Sequence, residues 1–148
     1  MAYSNTEVPK TIVLSYVNDA LYREGKAAST VTPGDFVNKT SSNTIQRNTA
    51  AGLSGPLSIA VADRLQGRTI ADDYATDDLV TYIYPARGTY VYAFLPAAAA
   101  AVVVGDALEL SNDGTLVKRT TGAVVATALE AVDNSAGGSK ARIQVEIV

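Results

Sequence analysis

Aspartates are the residues of this chain whose types and spacing could support chemistry. The sequence contains no histidine and no cysteine, which removes the commonest general base, the thiolate nucleophile and the usual transition-metal ligands. Two aspartate pairs occupy matching places, Asp35 with Asp106 and Asp63 with Asp133, and paired carboxylates are the groups that glycosidases use. Because no neighbouring residue indicates a raised pKa in one member, we expect no enzymatic activity. We predict that these aspartates accept backbone hydrogen bonds in turns.

A second acidic feature is the segment ADDYATDD at residues 71–78. Its aspartates offer the hard oxygen ligands that calcium prefers, and they are Asp72, Asp73, Asp77 and Asp78. The segment lacks the alternating spacing and the distal glutamate of an EF-hand loop. We therefore predict a solvated surface loop, with adventitious calcium binding as the alternative, and we expect no cofactor.

Composition excludes several classes of partner. The net charge of −3 argues against a nucleic-acid binder that neutralises phosphates. The first ten residues, MAYSNTEVPK, lack the basic and apolar regions of a signal peptide. Residues 88–104 carry no charge, but the run contains Pro96 and is shorter than the ~20 apolar residues that a membrane helix needs. We predict that this run forms a buried strand, a turn and a second strand, and we expect no membrane partner.

The elements that must position these residues are indicated by an internal repeat. VTPGDFV at Val31–Val37 matches VVVGDAL at Val102–Leu108, 71 positions later. Two further blocks follow in the same order, Thr44–Arg47 on Thr115–Lys118 and, after a one-residue slip, Leu57–Asp63 on Thr127–Asp133. A slip of this kind costs least in a loop. The pattern predicts two pseudo-repeated units, at about residues 27–95 and 98–148.

Local patterns within the repeats are those of β-strands. The run ALELSNDGTLVKR has two short alternating segments around Asp113 and Gly114, and Asp-Gly favours a tight hairpin turn. The last run, ARIQVEIV, alternates apolar and polar residues, as a half-buried strand does. The residues predicted to form the core are Ile143, Val145 and Ile147, with Leu108, Leu116 and Leu129 around them.

The expected fold is therefore all-β. Many short strands at regular spacing predict a small β-barrel or β-sandwich, here built from two pseudo-repeated β-units with an extended N-terminal segment. Residues 1–32 would form an N-terminal arm and lead-in segment, and residues 33–148 the β-domain. Within the lead-in, Asn18–Ala28 has the capping residues of a short helix, although the repeat favours a strand and loop.

Tyrosines provide the first candidate interface. The run YIYPARGTYVY is nearly a palindrome around Pro85–Thr89. A hairpin there would place Tyr84 opposite Tyr90 and Tyr82 opposite Tyr92, all on one face. Tyrosine is enriched at protein–protein contacts, so we predict an interface. The alternative is that the four rings cover one end of a barrel with their hydroxyls in water.

The N-terminal segment provides the second candidate interface. Its first ten residues show no clear periodicity and are expected to be poorly ordered in isolation. We predict either an arm that becomes ordered on a neighbouring subunit or a plain frayed terminus. The residues assigned to this contact are Tyr3, Val8, Pro9 and Lys10.

The second half of the chain resembles the capsid decoration, or cement, proteins of tailed bacteriophages. The resemblance consists of a Gly-Asp entering a strand at Gly105, an Asp-Gly-Thr-Leu hairpin, a strand end reading ALEAVDNS and a closing strand reading ARIQVEIV. The run DRLQGRTIADDYATDD is also similar to that family. The match spans roughly Gly34–Val148 and rests on turn and strand motifs.

The resemblance implies a small β-rich protein on the outer surface of an assembled capsid. Its expected partners are the major capsid protein and further copies of itself, commonly as a homotrimer, and its expected role is to stabilise the shell by bridging neighbouring subunits. The alternative is a receptor- or glycan-binding β-module of a phage fibre or adhesin, in which Tyr82, Tyr84, Tyr90 and Tyr92 would stack against sugars.

Overall fold

The computed structural model describes residues 8–15, 21–53 and 55–148. These residues form two five-stranded sheets, as the all-β prediction required. The first sheet contains β1 (Leu21–Ala27), β2 (Val37–Lys39), β3 (Thr44–Arg47), β4 (Ile59–Ala60) and β5 (Leu79–Tyr84). The second contains β6 (Tyr90–Leu95), β7 (Ala107–Leu110), β8 (Leu116–Lys118), β9 (Ala126–Ala128) and β10 (Ala141–Ile147). A single turn of 3₁₀-helix, Arg64–Gln66, follows β4.

Strand order is β2-β3-β1-β5-β4 in the first sheet and β6-β10-β9-β7-β8 in the second. In each, the first strand of the unit pairs antiparallel with the last, β1 with β5 and β6 with β10. An isolated bridge between Phe36 and Ile59 links the start of β2 to β4, so the edges of the first sheet also meet. The prediction allowed a β-barrel or a β-sandwich, and this arrangement is consistent with a sandwich of two β-units.

The turns that carry the repeated Gly-Asp have the same geometry in both units. Gly34 and Gly105 have φ values of +105° and +90°, a region that residues with a side chain seldom adopt. The N–H of Thr32 donates to Asp35 Oδ2 at 2.8 Å, and the N–H of Val103 donates to Asp106 Oδ2 at 3.0 Å. The repeat is therefore structural, and both aspartates close a turn as predicted.

The exact boundaries of the repeat differ from the prediction. The N–H of Gly34 donates to the carbonyl of Ala60, and the N–H of Gly105 donates to that of Ala128. Ala60 thus corresponds to Ala128, two residues before the predicted Glu130. In addition, both units begin earlier in the sequence than predicted. β1 lies in the predicted lead-in segment but pairs with β5, and β6 lies in the predicted first repeat but pairs with β10.

One apolar core joins the two sheets. Residues of both sheets pack in it, including Phe36 and Ile83 from the first and Ile143 and Val145 from the second. Leu108, Leu116 and Ile147 are also buried, as predicted, whereas Leu129 is only half-buried because it lies just beyond the end of β9. A smaller cluster of buried residues, which includes Ala27, Ile45 and Tyr82, is formed within the first unit alone.

The ambiguous segments also take defined structures. Leu21–Ala27 is a strand rather than a helix, because its backbone pairs with β5 over six residues. In the uncharged run, β6 is followed by a turn and then by one bridge from Val102 to Val132 instead of a second full strand. Within the described ranges, no helix has the length and apolarity to cross a membrane.

Candidate interface surface

The predicted tyrosine hairpin does not form. β5 ends at Tyr84 and β6 begins at Tyr90, but the two strands belong to different sheets. Tyr84 instead lies opposite Leu21 of β1, and Tyr92 lies opposite Gln144 of β10. The prediction of four tyrosines paired on one face is therefore wrong, since the connection between the strands crosses from one sheet to the other.

The four rings accordingly have different environments. Tyr82 is 2% exposed and Tyr92 is also buried, whereas Tyr84 is half-buried and Tyr90 is 41% exposed. The rings of Tyr82 and Tyr84 contact edge to face, with centroids 5.8 Å apart. Burial, together with the neighbouring Tyr84 hydroxyl, raises the pKa of Tyr82 to about 12. Of the four, Tyr90 offers the most side-chain surface to a partner.

Residues 12–15 lie along β6, the strand that contains Tyr90 and Tyr92. The N–H of Tyr92 donates to the carbonyl of Ile12 at 2.7 Å, and the N–H of Leu14 donates to the carbonyl of Tyr90 at 2.8 Å. The hydroxyl of Ser15 accepts the N–H of Tyr90 at 3.0 Å. Ile12–Leu14 thus covers the outer side of β6 as an added strand segment, with a bridge between Val13 and Val91.

Of the predicted N-terminal candidates, three lie among the described residues just before this segment. Val8 and Lys10 are exposed and Pro9 is half-buried, while Tyr3 lies outside the described residues. The residues of the N-terminal segment that contact Tyr90 are Leu14 and Ser15, which follow the predicted N-terminal candidates in the sequence. The role of those candidates in an interface stays a prediction.

A groove of about 750 Å³ opens between the N-terminal segment and β1. Its walls are Ile12 and Val13 on one side, Tyr22 and neighbouring residues of β1 on another, and the 3₁₀ turn with Leu65. Leu65 is 100% exposed and Tyr22 is 59% exposed. Sequence reasoning missed both; the available signal was a lone leucine among polar residues in DRLQG.

The turn of the second unit is a further exposed apolar surface. Val103 and Val104 precede Gly105 and are exposed. The corresponding Pro33 in the first unit is buried, because that turn packs against the second sheet. One motif therefore serves as an internal contact in one unit and as free surface in the other.

An ion pair between Asp35 and Lys140 holds the buried turn of the first unit. Asp35 is fully buried and accepts a hydrogen bond from Lys140 Nζ at 2.8 Å. The Lys140 ammonium also lies 4.2 Å from the centre of the Phe94 ring, as does the Arg142 guanidinium carbon. Burial raises the pKa of Asp35, and the hydrogen bond and charge of Lys140 oppose that shift. This junction joins the two units.

The other carboxylates are engaged locally. Asp106 pairs with Lys118 at 3.1 Å, Asp63 accepts the N–H of Gln66, and Asp133 accepts two hydrogen bonds from Ser135. Each member of the predicted pairs therefore has its own partner.

In the acidic loop, Asp77 pairs with Lys26, Asp78 pairs with Arg68, and Asp72 accepts hydrogen bonds from Thr69, which lower its pKa. Among the described residues, no group of three or more acidic side chains is placed to hold a metal ion.

The chain matches no protein-family model and no curated protein sequence. Among solved structures, its fold is similar to that of the head fibre gp8.5 N base of bacteriophage phi29. The TM-score is 0.54 at 17% sequence identity, and the match covers 88% of this chain and 95% of that chain. At this identity the similarity is one of fold.

Proposed function

We propose that the protein is a structural component of a phage virion, which binds the outer surface of the assembled capsid and stabilises it by bridging neighbouring subunits. The observation that carries the proposal is the fold shared over 88% of the chain with a protein named for a phage head fibre. The cement-protein motifs around Gly105 and Asp113–Leu116 support it independently.

Several surface features are consistent with binding to a large assembly. The exposed apolar residues include Val8 in the N-terminal segment, Tyr22 and Leu65 at the groove, and Val103 and Val104 on the second turn. Contacts of standard size bury roughly 800 Å² per partner, but much of the gain is offset by association and ordering. A homotrimer would add its three contacts through effective concentration, so weak individual contacts suffice.

The glycan-binding alternative rested on a face of four tyrosines. That face is not formed, because Tyr82 and Tyr92 are buried in the sandwich. Sugar stacking needs exposed rings, and of those four Tyr90 is the most exposed. The arrangement therefore favours the structural role.

The test is to add the purified full-length chain to undecorated capsids and to measure occupancy and the temperature at which DNA is released. A bridging protein adds binding free energy that rupture must overcome, so release should shift to higher temperature at saturation. Equal release temperatures with and without saturating protein would contradict the stabilising role. Lack of binding would contradict the proposal itself.

The N-terminal segment can be tested in the same assay. Deleting Met1–Lys10 leaves the contacts of Ile12–Leu14 with β6 in place, so the β-sandwich should fold as in the full chain. We expect weaker capsid attachment, because ten extended residues reach up to ~35 Å. Circular dichroism and thermal unfolding provide the folding control, and unchanged occupancy would contradict a role for the segment.

A further inference from the structure

In the part of the chain that the structure describes, one side of β1 has no strand partner over most of its length. β1 pairs with β5 from Leu21 to Lys26, but its parallel pairing with β3 is confined to Lys26 and Ala27. The N–H of Lys26 donates to the carbonyl of Asn43 on the β3 side. Because alternate residues point the same way, the backbone groups of Tyr22 and Glu24 face that side too.

These groups have no ladder partner among the described residues. The carbonyl of Tyr22 accepts a hydrogen bond from the guanidinium of Arg23, its own neighbour, at 3.0 Å. Charged side chains are one of the ways in which proteins protect a strand edge. Leu21–Glu24 is therefore an open edge, which we call the β1 edge.

The second unit shows what such an edge accepts. β6 occupies the position of β1, since each is the first strand of its unit and pairs with the last. Its outer side is covered by Ile12–Leu14, through the hydrogen bonds of Tyr90 and Tyr92. The chain thus adds one of its own extended segments to the edge of β6, whereas no segment among residues 8–15, 21–53 and 55–148 pairs with the matching side of Leu21–Glu24.

We propose that the β1 edge binds Met1–Glu7 of a neighbouring copy as an added strand. This deepens the proposed function and rests on it for bringing copies side by side on the capsid. Seven residues precede Val8, and extended they reach roughly 24 Å, which exceeds the roughly 13 Å of a four-residue edge. The groove beside the edge, lined by Tyr22 and Leu65, provides the apolar surface for alternate side chains.

The sequence of this segment fits an added strand. It contains no proline before Pro9, so every amide N–H after the first residue is available to pair. Tyr3 and Thr6 are residues that favour strands. Glu7 is the one carboxylate side chain in the segment, and it complements Arg23, which would leave the Tyr22 carbonyl when a strand arrives.

Disulfide trapping tests the proposal because the chain has no native cysteine. Two full-length variants are mixed, one with a single cysteine scanned over Tyr3–Thr6 and one with Tyr22→Cys, in concentrated solution and on capsids. We expect a mixed disulfide dimer at one or two scan positions. Val104→Cys is the control acceptor, because it is equally accessible but lies on the other unit's turn, and it should cross-link at least fivefold less.

A matched pair of variants tests the backbone contact. Glu24→Pro removes the N–H that faces the open side, whereas Glu24→Ala keeps it. Placed in the Tyr22→Cys acceptor, the proline should abolish trapping and the alanine should preserve it. Thermal unfolding and circular dichroism identify any proline variant that fails to fold, in which case N-methylation of single arm residues in a synthetic peptide of residues 1–10, bound to the full chain, replaces it.

Three results would overturn the proposal: trapping that Glu24→Pro leaves unchanged, trapping no stronger than at Val104→Cys, or an intramolecular disulfide when one chain carries both cysteines. The last would mean that the segment binds its own chain. Capsid occupancy of the unmodified chain, measured beside trapping, separates this proposal from the proposed function. Normal capsid binding by the unmodified chain, with no trapping between the single-cysteine variants, would contradict only the β1 edge contact. Absence of capsid binding by the unmodified chain would contradict the proposed function.

Discussion

The carboxylate of Asp35 lies 2.8 Å from the ammonium of Lys140, although 105 positions of sequence separate the two residues. Asp35 belongs to the first unit and is fully buried, while Lys140 precedes the last strand of the second. The ion pair therefore joins the two halves of the repeat, and its energetics can be measured through variants of either partner.

Lys140→Met should destabilise the fold by leaving a buried carboxylate without its cation. We expect a loss of up to about 3 kcal/mol, the lower end for a buried pair, because 27% of the Lys140 side chain is exposed. Urea denaturation measures it. In the double variant Lys140→Met with Asp35→Asn most of the loss should be recovered at neutral pH, and failure to recover it would assign the cost to lost packing on Phe94.

The same variant predicts a pH dependence. Burial already raises the pKa of Asp35 in the folded chain, so its contribution to stability is greatest below the unfolded pKa and is lost as pH rises through the folded value. Without Lys140 the pKa should rise further. The deficit of Lys140→Met relative to the unmodified chain should therefore be largest at neutral pH and shrink on acidification. A deficit independent of pH would contradict this.

The two repeated glycines form a matched pair. Gly34→Ala and Gly105→Ala both place a side chain at positive φ, at a cost of roughly 1–3 kcal/mol. At Gly34 the new Cβ would also lie 2.6 Å from Arg142 Nη1 and 2.9 Å from the Tyr92 carbonyl oxygen, whereas at Gly105 nothing lies within 4 Å. Gly34→Ala should lose about 1–3 kcal/mol more. If chemical denaturation gave equal losses in the free energy of unfolding for the two variants, this would contradict the close packing of the Gly34 turn against Arg142 and Tyr92.

Ile143 tests the shared core. It is fully buried between the sheets, so Ile143→Ala should lower the free energy of unfolding by about 2–5 kcal/mol through lost burial and a cavity. Leu65→Ala is the control, because this side chain is fully exposed and surface changes stay within about 0.5 kcal/mol. Similar effects of the two changes would contradict the assigned core.

The hydroxyl of Tyr82 should lose its proton at a higher pH than an ordinary tyrosine does. Its pKa is raised to about 12 from an ordinary 10, so the unfolded chain releases the proton first and the stability contributed by Tyr82 falls as pH rises between these values. Tyr82→Phe should flatten this part of the pH–stability curve. Tyrosinate absorbance of the folded chain should lose its latest-titrating component in the variant; an unchanged titration would place Tyr82 in solvent.

Local signals in the sequence were sufficient for the strands and turns. The Asp113–Gly114 hairpin, the alternation at Ile143–Ile147 and the two Gly-Asp turns each depend on a few neighbouring residues, and all are formed. The all-β fold followed from them. The predicted alignment of Ala60 was wrong by two residues, Glu130 instead of Ala128, because the slip lies in a loop, where sequence matching has no periodic anchor.

Long-range pairing could not be predicted in the same way. A palindrome such as YIYPARGTYVY is equally compatible with a hairpin and with two strands that pass to different sheets. The choice depends on which partner satisfies β6, and that partner is β10, about fifty residues later. The groove at Tyr22 and Leu65 is lined by segments that are distant in sequence, so the lone leucine in DRLQG could indicate one of its walls but not the groove.

The shared core has a consequence for synthesis of the chain. Its residues run from Ile12 to Ile147, so the ribosome must release the last strand before the core can close, and contacts so distant in sequence form slowly. Until then the nascent chain exposes apolar strands with unpaired edges, which are aggregation hazards. Expression at lower temperature or with chaperones should therefore raise the soluble yield, and truncating β10 should abolish it.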